Sequence, residues 1–117
     1  MKGNVISDKS KRFAVRVIRL YQHLTEHKRE FVLSKQLLRS GTSIGANVRE
    51  AGRAQSKKDF TSKMNIALKE AAESEYWLEL LQETDYLTRP EYDSLAQDCG
   101  ELNRLLISIV RTSNTNV

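Results

Sequence analysis

Two histidines, one cysteine, a run of carboxylates and two stripes of cations are the side chains here that could do chemistry. His23 and His27 stand four residues apart, a spacing that puts both rings on one helix face and can share a metal ion. No cysteine or carboxylate completes a ligand pattern such as His-Glu-x-x-His. Metal sites inside helical bundles draw Glu-x-x-His pairs from two helices, and no histidine follows His27. Glu70, Glu73, Glu75, Glu79 and Glu83 crowd one stretch. Acid–base catalysis needs such a group desolvated against a substrate, and a solvated acidic face or an oligomer contact is the plainer reading. Cys99 falls on an apolar stripe, where a thiol is core filler rather than a nucleophile. There is no glycine-rich phosphate loop and no Gly-x-Ser-x-Gly elbow. These residues predict no enzyme, no cofactor and no bound metal.

The cations are better ordered. Lys9, Arg12, Arg16, Arg19 and His23 recur at spacings of 3, 4, 3 and 4, and Lys35, Arg39, Arg49 and Arg53 fall on one stripe of the next segment. Like charges at this spacing repel by about a few tenths of a kcal/mol per pair, so an anionic partner is a reasonable cause for keeping them. Lys57 and Lys58 open a third segment, where the helix dipole disfavours cations but free backbone N–H groups suit a phosphate. Arg49, Arg53, Lys57, Lys58 and Lys63 are therefore expected to touch a nucleic-acid backbone, RNA or DNA. The alternative is a basic surface with no ligand. Tyr21, Phe31, Phe60, Tyr76, Trp77, Tyr86 and Tyr92 do not interleave with the cations, so contacts would be led by phosphate and sensitive to salt.

The elements that must position these residues are all helical. The chain has 117 residues, 39% of them apolar, with one proline and five glycines. That composition fits a single domain over 1–117, all-α, with helices expected over about 8–27, 31–53, 57–86 and 89–111 and a frayed tail at 112–117. Short connections make neighbours antiparallel, which gives an up-down-up-down four-helix bundle. Asp8 is the expected first cap, His27 to Glu30 a polar connection, and Ser56 to Asp59 and Thr88 to Glu91 two capping boxes. The run Arg39 to Ser43 is a weak point, but the apolar phase persists from Leu33 to Ala51 and favours one unbroken helix. Gly41 and Gly45 then permit a close helix approach. The third helix, at about 42 Å, overhangs a chain this small and asks for a partner. Val15, Ile18, Ile66, Trp77 and Leu80 widen two apolar faces beyond one stripe and are the expected oligomer interface.

Charge is unevenly divided. Residues 1–63 hold 15 Lys/Arg against 5 Asp/Glu, or +10, and residues 64–117 hold 4 against 10, or −6, which together give the net +4. Such halves suit a polyanion, self-association of opposite charges, or both. No run approaches the ~20 apolar residues of a membrane span, no apolar stretch follows the first lysine as in a secretory signal, and one cysteine suits a reducing compartment. The expected place is the cytoplasm.

The run Gln36-Leu-Leu-Arg-Ser-Gly-Thr-Ser-Ile-Gly-Ala-Asn-Val-Arg-Glu-Ala51 resembles the bacterial four helix bundle protein family, also called 23S rRNA-intervening-sequence proteins. The similarity continues through Ser56 to Phe60 and Met64 to Ala71, and ends near Glu75 to Leu81. Where the family has Glu-Gly, this chain has Glu50-Ala51-Gly52. The resemblance implies an antiparallel bundle assembled as a ring-shaped homopentamer. It also implies kinship with the basic accessory protein of diversity-generating retroelements, which binds nucleic acid and a reverse transcriptase. The motif positions Arg39, Ser43, Asn47 and Glu50 suit helix packing or ring assembly as well as ligand binding, for example through a pair of the Arg39–Glu50 type between helices or subunits. Two functions are left: a nucleic-acid-binding oligomer, or a protein-interaction ring in which basic and acidic halves of neighbours meet. High salt would strip nucleic acid from the first and loosen the second.

Overall fold

Apolar side chains recur at helical spacing in four stretches, and each stretch forms a helix that turns its stripe inward. The computed structural model describes residues 5–115. Within them lie α1 (Val5–His27), α2 (Leu33–Ala51), α3 (Lys57–Glu83) and α4 (Arg89–Thr115), with no strand among the described residues. The helices form a four-helix bundle in which each packs against its neighbours in sequence, and α1 closes more lightly onto α4. Phe13, Val17, Leu24, Leu37, Ile44, Leu78, Leu81, Leu102 and Leu106 fill the centre. α2 is continuous through Gly41. α3 does not overhang alone, because α4 has the same 27 residues. α4 continues through Thr115, beyond the expected end at 111. Residues 116 and 117 of the expected tail, and residues 1–4 of the expected domain, lie outside the described residues.

Local chemistry sets the helix ends. α1 begins at Val5, so Asp8 sits within the first turn instead of capping it, with its charge still near the positive end of the dipole. α2 has no cap from its own N-cap residue, Val32. Glu30 takes that role from the preceding connection: its carboxylate accepts from the N–H groups of Val32 (3.1 Å), Leu33 (2.8 Å) and Ser34 (2.7 Å). The Ser34 hydroxyl donates back to the Glu30 carbonyl at 2.8 Å. At α3 the Ser56 hydroxyl accepts from the Asp59 N–H at 3.0 Å. At α4 both arms of the box form, Thr88 N–H to the Glu91 carboxylate and Glu91 N–H to the Thr88 hydroxyl.

The end of α3 is a Schellman turn: Tyr86 N–H donates to the Leu81 carbonyl and Asp85 N–H to that of Gln82. Asp85 holds the left-handed conformation this requires, with φ 71°. Only glycine adopts it without cost from a Cβ. Asp85→Gly is expected to raise stability by about 1 kcal/mol, read as a higher midpoint in urea unfolding.

Small residues set the helix spacing. The buried Ser40 and Ser74 hydroxyls meet at 2.8 Å between α2 and α3, and Ser74 also donates to the Glu70 carbonyl. Gly41 and Gly45 both face α1. A Cβ at Gly41 would stand 2.9 Å from Cγ2 of Val17, whereas one at Gly45 would stand 3.3 Å from the Ser10 hydroxyl and 3.6 Å from its next neighbours. Val17 is fully buried and its β-branched side chain has one favoured rotamer in a helix. Relief at Gly41 therefore requires helix movement. Gly41→Ala is expected to lose about 1–2 kcal/mol net, overpacking outweighing the ~1 kcal/mol propensity gain. Gly45→Ala should lie near neutral, the propensity gain offsetting a slight shift of the Ser10 hydroxyl, which donates to the Ser7 carbonyl. Equal effects in paired urea titrations would contradict this placement.

Candidate nucleic-acid interface

The predicted cations do not stay together as two stripes. Antiparallel packing sets several against acids of the facing helix. Lys9 pairs with Glu101 at 3.0 Å. Arg16 pairs with Asp98 at 2.7 Å and donates to the Ser94 hydroxyl at 2.9 Å. Arg39 reaches Glu73 at 3.7 Å, and Lys63 pairs with Glu50 at 2.9 Å. A pair of the Arg39–Glu50 type is therefore not made inside the chain. The Glu50 hydrogen bond first, and its charge second, raise the Lys63 ammonium above the ordinary lysine value. Opposite charges of the two halves of the sequence thus meet, in part, within one molecule. These pairs are partly exposed, so each contributes little to stability.

Arg12, Arg19, Lys35, Arg49, Arg53, Lys57 and Lys58 are exposed and pair with no described acid. Arg19 lies about two turns beyond Arg12 on α1, and Lys35 lies in the first turn of α2, at the other end of the bundle from Arg49. Arg12 borders the α1–α4 seam, in a groove of about 400 Å³ where Glu101 and Asp98 already answer Lys9 and Arg16.

The remaining cations gather where α2 ends and α3 begins. Three successive backbone bonds, Gly52 N–H to Val48, Arg53 N–H to Glu50 and Ala54 N–H to Ala51, close α2 there. Ser56 then starts α3 with Lys57 and Lys58 in its first turn. An open groove of about 730 Å³ runs from that turn along α3 and is closed by the last turn of α4. Lys57, Lys58 and Lys69 line it, with Ser62, Asn65 and Ile66 between them and Ser113 and Asn114 opposite. A hydroxyl pair, Thr61 with Ser113, ties the two helices at this point. A smaller groove between α1 and α2, about 280 Å³, carries Lys11 and Arg49. This end of the bundle can hold anions in two concave tracks.

Lys11, Lys69, Ser62 and Asn65 escaped the sequence reading, although Lys58, Ser62, Asn65 and Lys69 recur at 4, 3, 4 spacing and so share a helix face. Ser113 and Asn114 gave no such signal, since they join the groove only because α4 continues to Thr115.

The other reactive groups are otherwise engaged. Burial, with smaller contributions from Glu75 and Asp98, pushes the Cys99 thiol up to about 12, and its S–H donates to the Ala71 carbonyl at 3.3 Å. A thiol so held is not a thiolate at neutral pH. Burial first, then its hydrogen bond to Glu73 and that group's charge, raises the Glu70 carboxyl against the opposing Arg39 and Lys69. The His23 and His27 rings lie 5.2 Å apart in a groove with Asp85 and Glu91. Among the described residues no three His, Cys, Asp or Glu side chains are placed to hold a metal ion. No helix of the described residues is long and apolar enough to cross a membrane.

Of the apolar residues singled out, Val15, Ile18 and Ile66 are exposed at 43%, 40% and 38%, while Trp77 and Leu80 are half-buried. Trp77 packs against the core, with its indole N–H buried and without a partner among the described residues.

The family model of the 23S rRNA-intervening sequence protein matches residues 2–108. The chain is also similar to a protein with unknown function from the S23 ribosomal protein family of Bacteroides thetaiotaomicron VPI-5482, whose crystal structure is known at 1.70 Å. The two are 61% identical, with a TM-score of 0.90, over 91% of this chain and 98% of that one. No curated protein matches the chain.

Proposed function

This chain belongs to the 23S rRNA-intervening sequence protein family, and on that premise we propose that it is a non-catalytic cytoplasmic protein that binds the phosphate backbone of nucleic acid at the α2–α3 end of its bundle. One observation carries this reading. Arg49, Arg53, Lys57 and Lys58 gather at this end, with Lys69 farther along the same groove, and none of the five pairs with a described acid; four of them line open grooves, whereas Lys9, Arg16, Arg39 and Lys63 are each answered by an acid across a helix interface. Phosphate contacts release counterions, so affinity should fall linearly with salt on logarithmic axes, by about one unit of slope per neutralised phosphate. The test is binding to a structured RNA and a matched DNA duplex across a salt series, with mass by light scattering at each salt. A steep slope on an assembly of constant mass supports the reading. No binding at low salt removes it.

A second reading has its own support. Val15 and Ile18 on α1 leave apolar surface uncovered beside cations, Ile66 leaves more inside the lysine-lined groove, and the acids of α3 from Glu70 to Glu83 lie farther along that helix. On this reading copies of the chain assemble, as a ring of five by the resemblance described above, and the ring serves as a scaffold for another protein such as a reverse transcriptase. Loss of mass on Ile18→Glu at constant helicity, with no nucleic acid bound by the unchanged protein, would favour it over the first.

A further inference from the structure

We infer that the groove between α3 and the end of α4 takes a single strand of nucleic acid in preference to a duplex; this rests on the reading that the α2–α3 end binds nucleic acid. The groove is concave, and its cations lie inside it. A duplex carries its phosphates on a convex surface and is gripped by protein elements that enter its grooves, such as a helix in the ~12 Å major groove. Here the relation is reversed, because the protein supplies the cleft. The groove is open along its length and, at about 730 Å³, has room for a few nucleotide units of a strand laid along it.

The lining points the same way. Lys58 and Lys69 lie eleven residues apart on α3, a track of about 16 Å at 1.5 Å per residue. Between them the groove offers Ser62, Asn65 and the half-apolar face of Ile66. Amide and hydroxyl groups bond sugars and base edges, and an aliphatic side chain meets a base face. An unpaired strand offers phosphates, sugars, base edges and base faces together, whereas a duplex keeps its base faces stacked inside. The Asn65 amide makes no hydrogen bond to another described side chain, and Lys57, Lys58 and Lys69 make no ion pair with a described acid, so the donors are free for a ligand.

The experiment is fluorescence anisotropy at low salt with a short mixed-sequence single strand, as DNA and as RNA, and the blunt duplex of the same sequence. The unchanged protein should bind the single strand at least about tenfold more tightly than the duplex. Lys69→Glu should weaken single-strand binding by about tenfold and move duplex binding by no more than about twofold. Lys28→Glu, the same charge change at the opposite end, should leave both within about twofold. Asn65→Ala should weaken the single strand while leaving the salt slope unchanged, because it neutralises no phosphate. Duplex binding as tight as single-strand binding, or equal effects of Lys69→Glu and Lys28→Glu, overturns the inference while nucleic-acid binding at this end stands. Binding of neither form removes both.

Discussion

Reversing Lys57 and Lys58 to glutamate is expected to lower nucleic-acid affinity by about a hundredfold at low salt and to flatten the salt dependence by about two units of slope, one for each phosphate that is no longer neutralised. The same change should make the free protein more stable. Both lysines stand in the first turn of α3, where the helix dipole opposes positive charge. Glutamate there gains about 0.3–1 kcal/mol per site at low ionic strength. The Ser56 cap, which uses a hydroxyl and a backbone N–H, is untouched. A variant that melts higher yet no longer binds cannot have lost binding through unfolding. Unchanged affinity in a folded variant would remove these lysines from the interface. A fall in both stability and affinity would mean the lysines support the fold in a way the structure does not contain.

The second large effect is expected at Glu30. Truncation to alanine should cost about 2 kcal/mol, since three N–H groups at the start of α2 lose their acceptor together and removal of a single cap of this kind costs about 1 kcal/mol. Glu30→Gln keeps one acceptor oxygen and loses the charge, so it should fall between the two. The acid dependence follows from the ionisation. Burial alone would push the Glu30 carboxyl up, but the N–H of Leu33, the N–H and hydroxyl of Ser34 and the N–H of Val32 outweigh it and hold the group below the ordinary carboxylate value. A carboxyl that ionises more readily when folded stabilises the fold at neutral pH, and that contribution disappears as pH falls through the depressed folded value. Urea titrations across the acid range should show this loss in the unchanged protein and a smaller one in Glu30→Gln. Parallel curves would sink the assignment.

Glu30 also marks the boundary of what was legible in the chain. Read along the sequence, His27 to Glu30 is a polar connection, and nothing in its spacing shows that Arg29 takes a left-handed turn with φ 54° and brings the carboxylate back over the next helix. The caps made by Ser56 and by Thr88 with Glu91 were legible, because each pairs a side chain with a backbone group three residues away. Asp8 was misplaced as a cap because Val5 and Ile6 extend the first helix before it, with Ile6 buried in the core.

What the sequence determined by itself is what depends on neighbours three or four residues apart: four helices, their inward stripes, the unbroken course of α2 and the bundle that four amphipathic helices with short connections must form. Leu37, Ser40, Ile44, Val48 and Ala51 are buried on α2 as their spacing requires. The fate of the charges was decided only by the tertiary structure. Arg16 and Asp98, or Arg39 and Glu73, are distant in the chain, and whether such residues meet depends on which helix faces are opposed and at what height. The basic stripe on α1 is regular in sequence, yet Lys9 and Arg16 turn to α4 while Arg19 remains exposed. The groove at Lys57, Lys58 and Lys69 likewise needed the end of α4 as its second wall. Periodicity is a property of one helix, whereas complementarity of charge and the enclosure of a cleft are properties of two.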